Sequence, residues 1–315
     1  MPAPGKEDIL KAAERIRPYL HRTPVLTSEI INTITGAEIF FKCENFQKAG
    51  AFKSRGATNA VFGLGPDELM KGVATHSSGN HAAALARAAR LKQIPAYIVM
   101  PENSSKVKIE AVKHYGGNIT FCIPTLEARE ETLKMTLGQT HAFEIHPYND
   151  YKIIAGQATA ALELTEEKPG LNLVIAPVGG GGLLSGTALA CYYFSPGTKV
   201  IAAEPAGADD AFQSFSQKKF IPSVHPETIA DGLRTSLGNL TFPIISNLVS
   251  EIITVTDDIT VQAMKLVWER MKIIIEPSSA VALAIVLQNK QKFAGQKIGI
   301  IISGGNVDLM HLPWI

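Results

Sequence analysis

One lysine of this sequence stands among residues that have almost no side chain. Residues 49–57 read AGAFKSRGA, so that Lys53 follows Phe52 and is flanked by glycine and alanine. A lysine in a partly dry site has a lowered pKa, because burial disfavours its charged form, and its neutral amine attacks carbonyl groups. A solvated surface lysine is the commoner alternative, and the stretch by itself leaves both open.

Four consecutive glycines form a second chemical signal. Residues 179–182 follow the apolar run LNLVIA and precede an alanine-rich stretch. Glycine lets the backbone approach a ligand closely, and the N–H groups at a helix start attract an anion. The nucleotide-binding patterns G-x-x-x-x-G-K-[ST] and G-x-G-x-x-G with a downstream acid are both missing. The loop therefore predicts a site for a phosphate without a nucleotide, with a flexible turn as the alternative.

The stretch HSSGNHAAALARAA, residues 76–89, places small polar groups before a predicted helix. The hydroxyls of Ser77 and Ser78 and the amide of Asn80 suit a carboxylate ligand, although the same residues are also ordinary helix caps. His81 is a weaker signal, because a histidine at a helix start is more often a structural hydrogen-bonding group than a catalyst.

Two further strand ends carry polar residues. Ser303 follows the run KIGIII and precedes two glycines, which predicts either a close ligand contact or a tight turn. Glu204 and Asp210 follow VIAA and could bind a hard cation such as Mg²⁺ or Ca²⁺. Acidic loops of this kind are also frequently solvated or cap helices.

A single ligand would use both the lysine and the glycine loop. Pyridoxal phosphate (PLP) is the simplest molecule with an aldehyde for Lys53 and a phosphate for the glycines. The combination of features favours PLP, whereas each feature taken alone does not.

The elements that must position these residues alternate regularly. Apolar runs separated by helical patterns indicate a doubly wound α/β protein with parallel sheets covered on both faces. We expect two such lobes, a small one over residues 72–148 inserted into a large PLP-binding one made of residues 1–71 and 149–315. Ligands of such folds bind at the carboxyl ends of strands, where all the residues above lie. The runs predicted as strands are EIFFKC, GVATH, PAYIVM, NITFCI, LNLVIAP, TKVIAAE and KIGIIIS.

Composition excludes several classes of protein. The 315 residues are 46% hydrophobic and carry a net charge of +1, so there is neither a basic footprint for nucleic acid nor a membrane signal. Three widely spaced cysteines without C-x-x-C spacing indicate a reducing compartment, and we expect the protein to be cytoplasmic.

Seven motifs carry a resemblance to a known family. They are GAFKSRGA, SSGNH, VGGGGLLSG, AAEPAGADDA, TIADGLRTSLG, IIIEPSSA and SGGNVDL. In this order and over essentially the whole chain, they resemble the fold-type II PLP enzymes, whose fold is like that of the tryptophan synthase β subunit. The similarity is greatest to the branch of serine racemases and threonine or serine dehydratases.

The resemblance implies a role for each matching residue. Lys53 would bond to the cofactor aldehyde, Asn80 to its ring hydroxyl, and Ser303 would face the pyridine nitrogen. The full set implied to bind PLP is Phe52, Lys53, Asn80, Gly179, Gly180, Gly181, Gly182, Leu183, Glu276 and Ser303.

The resemblance also implies substrate and metal sites and a homodimer. Arg129 lies where the racemases carry an arginine at the substrate end of the small lobe. The residues implied to bind the amino-acid substrate are Ser77, Ser78, Asn80, His81 and Arg129. The residues implied to bind Mg²⁺, Ca²⁺ or Mn²⁺ are Glu204, Ala208 through its carbonyl, and Asp210.

The activity implied is that of a serine racemase that also dehydrates and deaminates L-serine, with L-threonine as a further candidate substrate. Lys53 and Ser78 would be its catalytic residues, and many related threonine dehydratases have alanine in place of Ser78. L-threo-3-hydroxyaspartate dehydratases share this serine, so they are the alternative, and Arg129 could contact a second carboxylate. A noncatalytic ligand-binding relative is a third hypothesis, but binding alone requires neither Lys53 nor Ser78.

Overall fold

Two separate β-sheets form the framework of the protein in a computed structural model, which describes residues 2–314. The larger sheet has the strand order β1-β2-β10-β7-β8-β9 and the smaller one the order β5-β4-β3-β6. All neighbouring strands are parallel except the pair β1–β2. The strands are β1 (Val25–Leu26), β2 (Glu38–Cys43), β3 (Val73–His76), β4 (Ala96–Pro101), β5 (Asn118–Cys122), β6 (Phe143–Glu144), β7 (Leu173–Pro177), β8 (Lys199–Pro205), β9 (Glu251–Val255) and β10 (Lys297–Ile302).

Helices cover both faces of the two sheets. They are α1 (Lys6–Ile16), α2 (Glu29–Thr35), α3 (Lys53–Phe62), α4 (Pro66–Leu69), α5 (Asn80–Lys92), α6 (Lys106–His114), α7 (Leu126–Thr140), α8 (Tyr151–Glu167), α9 (Gly182–Phe194), α10 (Asp210–Gln217), α11 (Thr241–Leu248), α12 (Asp257–Met271), α13 (Pro277–Gln288) and α14 (Lys290–Phe293). Short 3₁₀ turns lie at Glu44–Phe46, Lys48–Gly50, Ala206–Ala208 and Asp231–Leu233. This architecture confirms the predicted α/β class with parallel sheets.

The larger sheet is buried on both faces, which explains why its strands are apolar throughout. Consecutive side chains of a strand point to opposite faces. Ile300 packs with the cluster under α12 and α13, and Ile301 packs with the cluster under α8 and α9. Both residues are fully buried. Each such side chain contributes about 1.5–3 kcal/mol through removal from water.

The smaller sheet lies within residues 73–144 and is covered by α5 and α6 on one face and by α7 on the other. Val73 and Ile98 pack under α5, whereas Ala74 and Val99 pack on the side of α7. Its edge strand β5 is largely exposed. The division into lobes at residues 72 and 148 remains a prediction.

The seven predicted strands are all present, and three others are not in the prediction. β1 and β6 have two residues each, too few for a pattern. β9 is a half-buried edge strand and lacks the continuous apolar run of its neighbours. After β8, residues 206–208 form a 3₁₀ turn, so α10 begins only at Asp210.

The carboxyl end of β10 holds the start of α3 in place. Ala51 bridges to Gly304, and the Phe52 N–H donates to the carbonyl of Ser303 over 2.9 Å. α3 then packs against α8 of the larger sheet and α5 of the smaller one. Among the described residues, no helix is both long and apolar enough to cross a membrane.

Candidate active site

Lys53 is the first residue of α3 and lies half-buried beyond the carboxyl end of β10. Its Nζ donates to the carbonyl of Pro147 over 2.7 Å and lies 5.3 Å from the centroid of the Phe52 ring and 6.0 Å from that of Tyr148. Burial lowers the pKa of Lys53 to about 8, although the nearby carboxylate of Glu276 acts in the opposite direction. Roughly a tenth of the amine is therefore neutral at pH 7, far more than for an ordinary lysine.

The backbone around Lys53 is fixed by a buried ionic network. Arg55 bonds Glu44 over 2.7 Å and Glu163 over 2.8 Å, and Lys42 bonds Glu163 over 2.6 Å. Removing one partner from such a network leaves a buried charge without compensation, so the arrangement is rigid. Because Arg55 lies two residues after Lys53, the network holds the first turn of α3.

The glycine loop leaves a row of backbone N–H groups without partners. Within residues 2–314, no carbonyl or side chain accepts a hydrogen bond from the N–H groups of 179–183. These residues, including Leu183, are buried, and the loop opens directly into the 13-residue helix α9. Gly181 has φ +87°, which favours glycine. Free N–H groups at the start of a long helix are suited to a phosphate.

Tyr148 packs on the glycine loop, which explains why side chains are missing there. A Cβ at Gly180 would collide with the Tyr148 ring, and one at Gly182 would lie 2.9 Å from the tyrosine Cβ. Tyr148 therefore connects the loop to Lys53, whose amine faces the same ring.

A hydrogen-bonded row of polar side chains approaches the site from the other side. The side-chain amide of Asn306 donates to Oδ1 of Asn80 over 3.0 Å, and Nδ2 of Asn80 donates to Oε1 of Glu276 over 2.7 Å. The second oxygen of Glu276 is buried and has no partner among the described residues. Burial raises the pKa of Glu276 to about 7, so its carboxyl group can carry a proton near neutral pH.

Ser303 is 3% exposed and lies directly after β10. Its hydroxyl is 3.0 Å from that of Ser279 in α13. The structure therefore places a pair of hydroxyls at this strand end, where the motif analysis predicted only Ser303.

The residues present fit PLP on structural grounds. Lys53 provides an amine of lowered pKa, the loop 179–183 provides unpartnered N–H groups for a phosphate, and Glu276 has a free buried oxygen. Groups that are buried without partners usually have a ligand or water as partner. The aldehyde, phosphate and polar ring substituents of PLP match these three needs.

The loop after β3 presents Ser78 to solvent while its neighbours are held in place. The N–H of Ser77 donates to Val99 over 3.0 Å, and its Oγ accepts from the N–H of Gly79 over 3.3 Å. His81 is buried, with Nε2 3.3 Å from the carbonyl of Ile145, and burial lowers its pKa well below the usual value. Its surroundings favour the structural role, while its contact with a substrate remains a prediction.

Two histidines next to the site were given no role in the motif analysis. His146 and Tyr148 stack edge to face at 4.6 Å, and His76 lies 6.2 Å from His146. Burial lowers the pKa of His146 to about 3 and that of His76 to about 4, with Arg129 acting in the same direction on His76. Both rings are therefore neutral. The sequence signals were the stretch HPYND one residue after the two-residue strand β6 for His146, and the first letter of HSSGNH for His76.

The predicted cation ligands are buried beside each other. Both oxygens of Glu204 accept N–H bonds, from Ala211 over 2.8 Å and Phe212 over 2.7 Å. Within residues 2–314, neither oxygen of Asp210 has a hydrogen-bond partner, although Ser223 and the backbone of Leu237 lie close enough to lower its pKa. Burial raises the pKa of Glu204 to about 9 and that of Asp210 to about 6. In the described part of the chain, no three His, Cys, Asp or Glu side chains form a metal-binding group. Ala208 is buried in the 3₁₀ turn between the two carboxylates.

Comparisons with known proteins agree with this geometry. The model of the family "Pyridoxal-phosphate dependent enzyme" matches residues 16–304. A β-hydroxyaspartate dehydratase of Paracoccus denitrificans is 53% identical over 99% of both chains. A serine racemase of Dictyostelium discoideum is 52% identical over 98% of this chain and 97% of its own.

A solved structure is similar over nearly the whole length. Maize serine racemase superposes with a TM-score of 0.95 at 48% identity, over 98% of this chain and 95% of the maize chain. The family match, these relatives and the fit of the site to PLP agree. The chain belongs to the family of pyridoxal-phosphate dependent enzymes.

Proposed function

We propose that this enzyme is a serine racemase that also catalyses the α,β-elimination of L-serine to a 2-oxo acid and ammonia, with L-threonine as a further candidate substrate. The serine racemases of Dictyostelium and maize, at 52% and 48% identity, support this choice. The observation that carries it is the half-buried amine of Lys53, whose pKa is lowered to about 8 and whose one hydrogen bond within residues 2–314 is to the carbonyl of Pro147.

Lys53 and Ser78 would divide the proton transfers. Bound PLP supplies an electron-withdrawing ring that makes the Cα proton of an amino acid acidic. The neutral amine of Lys53 would remove this proton, since its lowered pKa matches that of a general base working near neutral pH. Ser78, exposed on the loop after β3, would return a proton to Cα and thereby invert its configuration. Without that return, the loss of the β-hydroxyl gives the elimination product.

The loop of Ser77 to His81 and the start of α5 would bind the substrate carboxylate. Its N–H groups open the 13-residue helix α5, and helix starts favour anions. Asn80 would keep this loop next to the cofactor, because it is bonded to Glu276 and Asn306.

An L-threo-3-hydroxyaspartate dehydratase is the alternative. The dehydratase of Paracoccus has 53% identity to this chain. Arg129 is half-buried, donates to the Thr125 carbonyl over 3.1 Å, makes no ion pair within residues 2–314, and lowers the pKa of His76. The second carboxylate of hydroxyaspartate would form an ion pair with Arg129, which has no such partner in the described protein.

One experiment separates these functions. The purified enzyme is supplied with PLP and, in parallel, with L-serine, L-threonine or L-threo-3-hydroxyaspartate, and D-serine and 2-oxo acids are quantified together. We expect both D-serine and pyruvate from L-serine. A kcat/KM for hydroxyaspartate that is higher by orders of magnitude, without D-serine, would refute the racemase proposal and establish the alternative.

Four further properties belong to the same proposal. Glu204, the Ala208 carbonyl and Asp210 would bind one Mg²⁺, Ca²⁺ or Mn²⁺, because a cation would relieve the cost of two buried carboxylates. The enzyme would act as a cytoplasmic homodimer, with the small lobe 72–148 inserted into the large one. Sedimentation at several protein concentrations tests the dimer, and a monomeric active enzyme would refute it.

A further inference from the structure

The hydroxyl of Ser279 has three hydrogen-bonding neighbours. It lies 2.7 Å from both the N–H and the carbonyl oxygen of Gly304, and 3.0 Å from the hydroxyl of Ser303. Ser279 is fully buried in the first turn of α13, so no solvent shares in these bonds. The predicted PLP residue Ser303 is therefore bonded to a residue that the motif analysis did not assign to the site.

A hydroxyl has one proton and two lone pairs, which limits how these bonds can be made. The N–H of Gly304 occupies one lone pair of Ser279. The proton of Ser279 then points either to the carbonyl of Gly304 or to Ser303. In the first case, Ser303 must donate its own proton to Ser279 for the pair to be bonded. In the second case, the proton of Ser303 is free to point elsewhere.

The carbonyl of Gly304 does not depend on Ser279. It also accepts the N–H of Glu276 over 3.1 Å, so turning the Ser279 proton toward Ser303 leaves no buried acceptor without a partner. The second arrangement gives up the 2.7 Å bond from Ser279 to that carbonyl in exchange for the bond to Ser303, and it makes Ser303 a donor toward a ligand beside it.

We propose that Ser279 is a positioning residue that directs the hydroxyl proton of Ser303 toward the ring nitrogen of bound PLP. This inference rests on the proposed PLP site, in which Ser303 faces that nitrogen. By donating to Ser303, Ser279 polarises its hydroxyl and fixes its rotamer, and hydrogen bonds in a chain strengthen one another. Ser279 thereby keeps the pyridine nitrogen an unprotonated acceptor, which sets how strongly the ring withdraws electrons.

The test reads the ring nitrogen directly. Wild-type enzyme and variants are loaded with PLP labelled with ¹⁵N in the ring, and the nitrogen resonance is recorded between pH 6 and 9, a range that is roughly centred on neutrality. The Ser303→Ala variant gives the chemical shift of a ring nitrogen that has lost its hydrogen-bond donor. We expect the resonance of Ser279→Ala to move away from that of the wild type toward that of Ser303→Ala, and Ser279→Thr to restore it.

A matched control separates positioning from the loss of a buried hydroxyl. Ser214 is also fully buried, and it accepts from the N–H of Ile221 over 2.9 Å and donates to the Ile221 carbonyl over 3.2 Å, the same pattern that links Ser279 to Gly304. Ser214→Ala should leave the nitrogen resonance unchanged. PLP affinity should fall roughly tenfold in Ser279→Ala, the effect of one hydrogen bond.

The outcomes distinguish the inference from the proposed function. A Ser279→Ala resonance that coincides with the wild type overturns the inference alone. If this variant does not fold, Ser279→Cys decides in the same way, because a thiol keeps the shape but donates weakly. Borohydride reduction of the wild type should leave a pyridoxyl label on Lys53, detected by mass spectrometry. A wild type without this label overturns the proposed site and the inference together.

Discussion

The reactivity proposed for Lys53 comes from its surroundings and not from a charged partner. Burial lowers the pKa of Lys53, whereas the negative charge of Glu276 acts to raise it. The carbonyl of Pro147 accepts from the amine and holds it without neutralising it. The solvated interpretation of this lysine is therefore wrong, because the half-buried side chain faces two aromatic rings.

Ser78 is the residue that would separate racemisation from elimination. Ser78→Ala should reduce D-serine formation at least a hundredfold, the usual contribution of a general acid or base, while most L-serine dehydration is retained because it needs only Lys53. Both products are measured in one reaction by chiral chromatography and pyruvate assay. Lys53→Ala serves as the control that should abolish both. Equal losses of both activities in Ser78→Ala would contradict the assignment.

The loop that opens α9 shows how an element prepares a binding site. The N–H groups of residues 179–183 lie free of protein acceptors because glycines 179–182, which have no side chains, pack closely against neighbouring groups such as the ring of Tyr148. A side chain in this loop would displace either the backbone or the tyrosine.

Gly180→Ala tests this arrangement. The added methyl group would collide with Tyr148, so we expect PLP affinity to fall at least tenfold, as measured by titration of the PLP-free protein. Gly138→Ala is the control, because this helical glycine in α7 has an open surrounding and alanine there should add about 0.5–1 kcal/mol of stability. Unchanged PLP affinity in Gly180→Ala would show that the loop is not the phosphate site.

The segment from β8 to α10 supports a prediction about metal removal. Glu204 caps α10 through two N–H bonds, while neither carboxylate oxygen of Asp210 has a hydrogen-bond partner in the described part of the chain, so a bound cation would stabilise this junction. EDTA should lower the Tm of the wild type by a few degrees, since a ligand that binds only the folded state stabilises it. In Asp210→Asn, neither EDTA nor added Mg²⁺ should change the Tm. A wild type that is insensitive to EDTA would exclude the cation.

Over the whole molecule, side chains from the two sheets meet across the site. Asn80 of α5 bonds Glu276 before α13, and Lys108 of α6 forms an ion pair with Asp231. Burial opposes the charge of Lys108, but Asp231 and then Glu276 outweigh it and raise its pKa. The site therefore depends on how the smaller sheet and its helices sit against the larger sheet.

Glu276 should make global stability depend on pH. Its pKa is about 7 in the folded protein and near 4.5 when unfolded, so the folded state keeps the proton longer. Its stabilising contribution is complete below pH 4.5 and is lost as the pH rises to about 7, by on the order of 3 kcal/mol. In urea unfolding of the PLP-free protein, the advantage of wild type over Glu276→Gln should decline over this range. A difference that is constant with pH would contradict the raised pKa.

The sequence by itself determined the fold class and most residues of the proposed site. Parallel strands buried on both faces need continuous apolar runs, which can be recognised in the sequence. The motifs at the carboxyl ends of these strands consist of consecutive residues, so Lys53, the glycine loop and Ser303 could be identified from the sequence alone. Short or edge strands such as β6 and β9 have no such pattern, and they were not predicted.

Only the tertiary structure decided which distant groups complete the site. Pro147 and Tyr148 meet Lys53 from about 94 residues away along the chain, and Ser279 bonds Ser303 across 24 residues. The tertiary structure also sets the protonation states of the titratable groups. The desolvation that shifts their pKa values depends on all the atoms packed around a group and not on its neighbours in sequence. The sequence names the chemical groups, and the packing of the two sheets sets their partners and their charge.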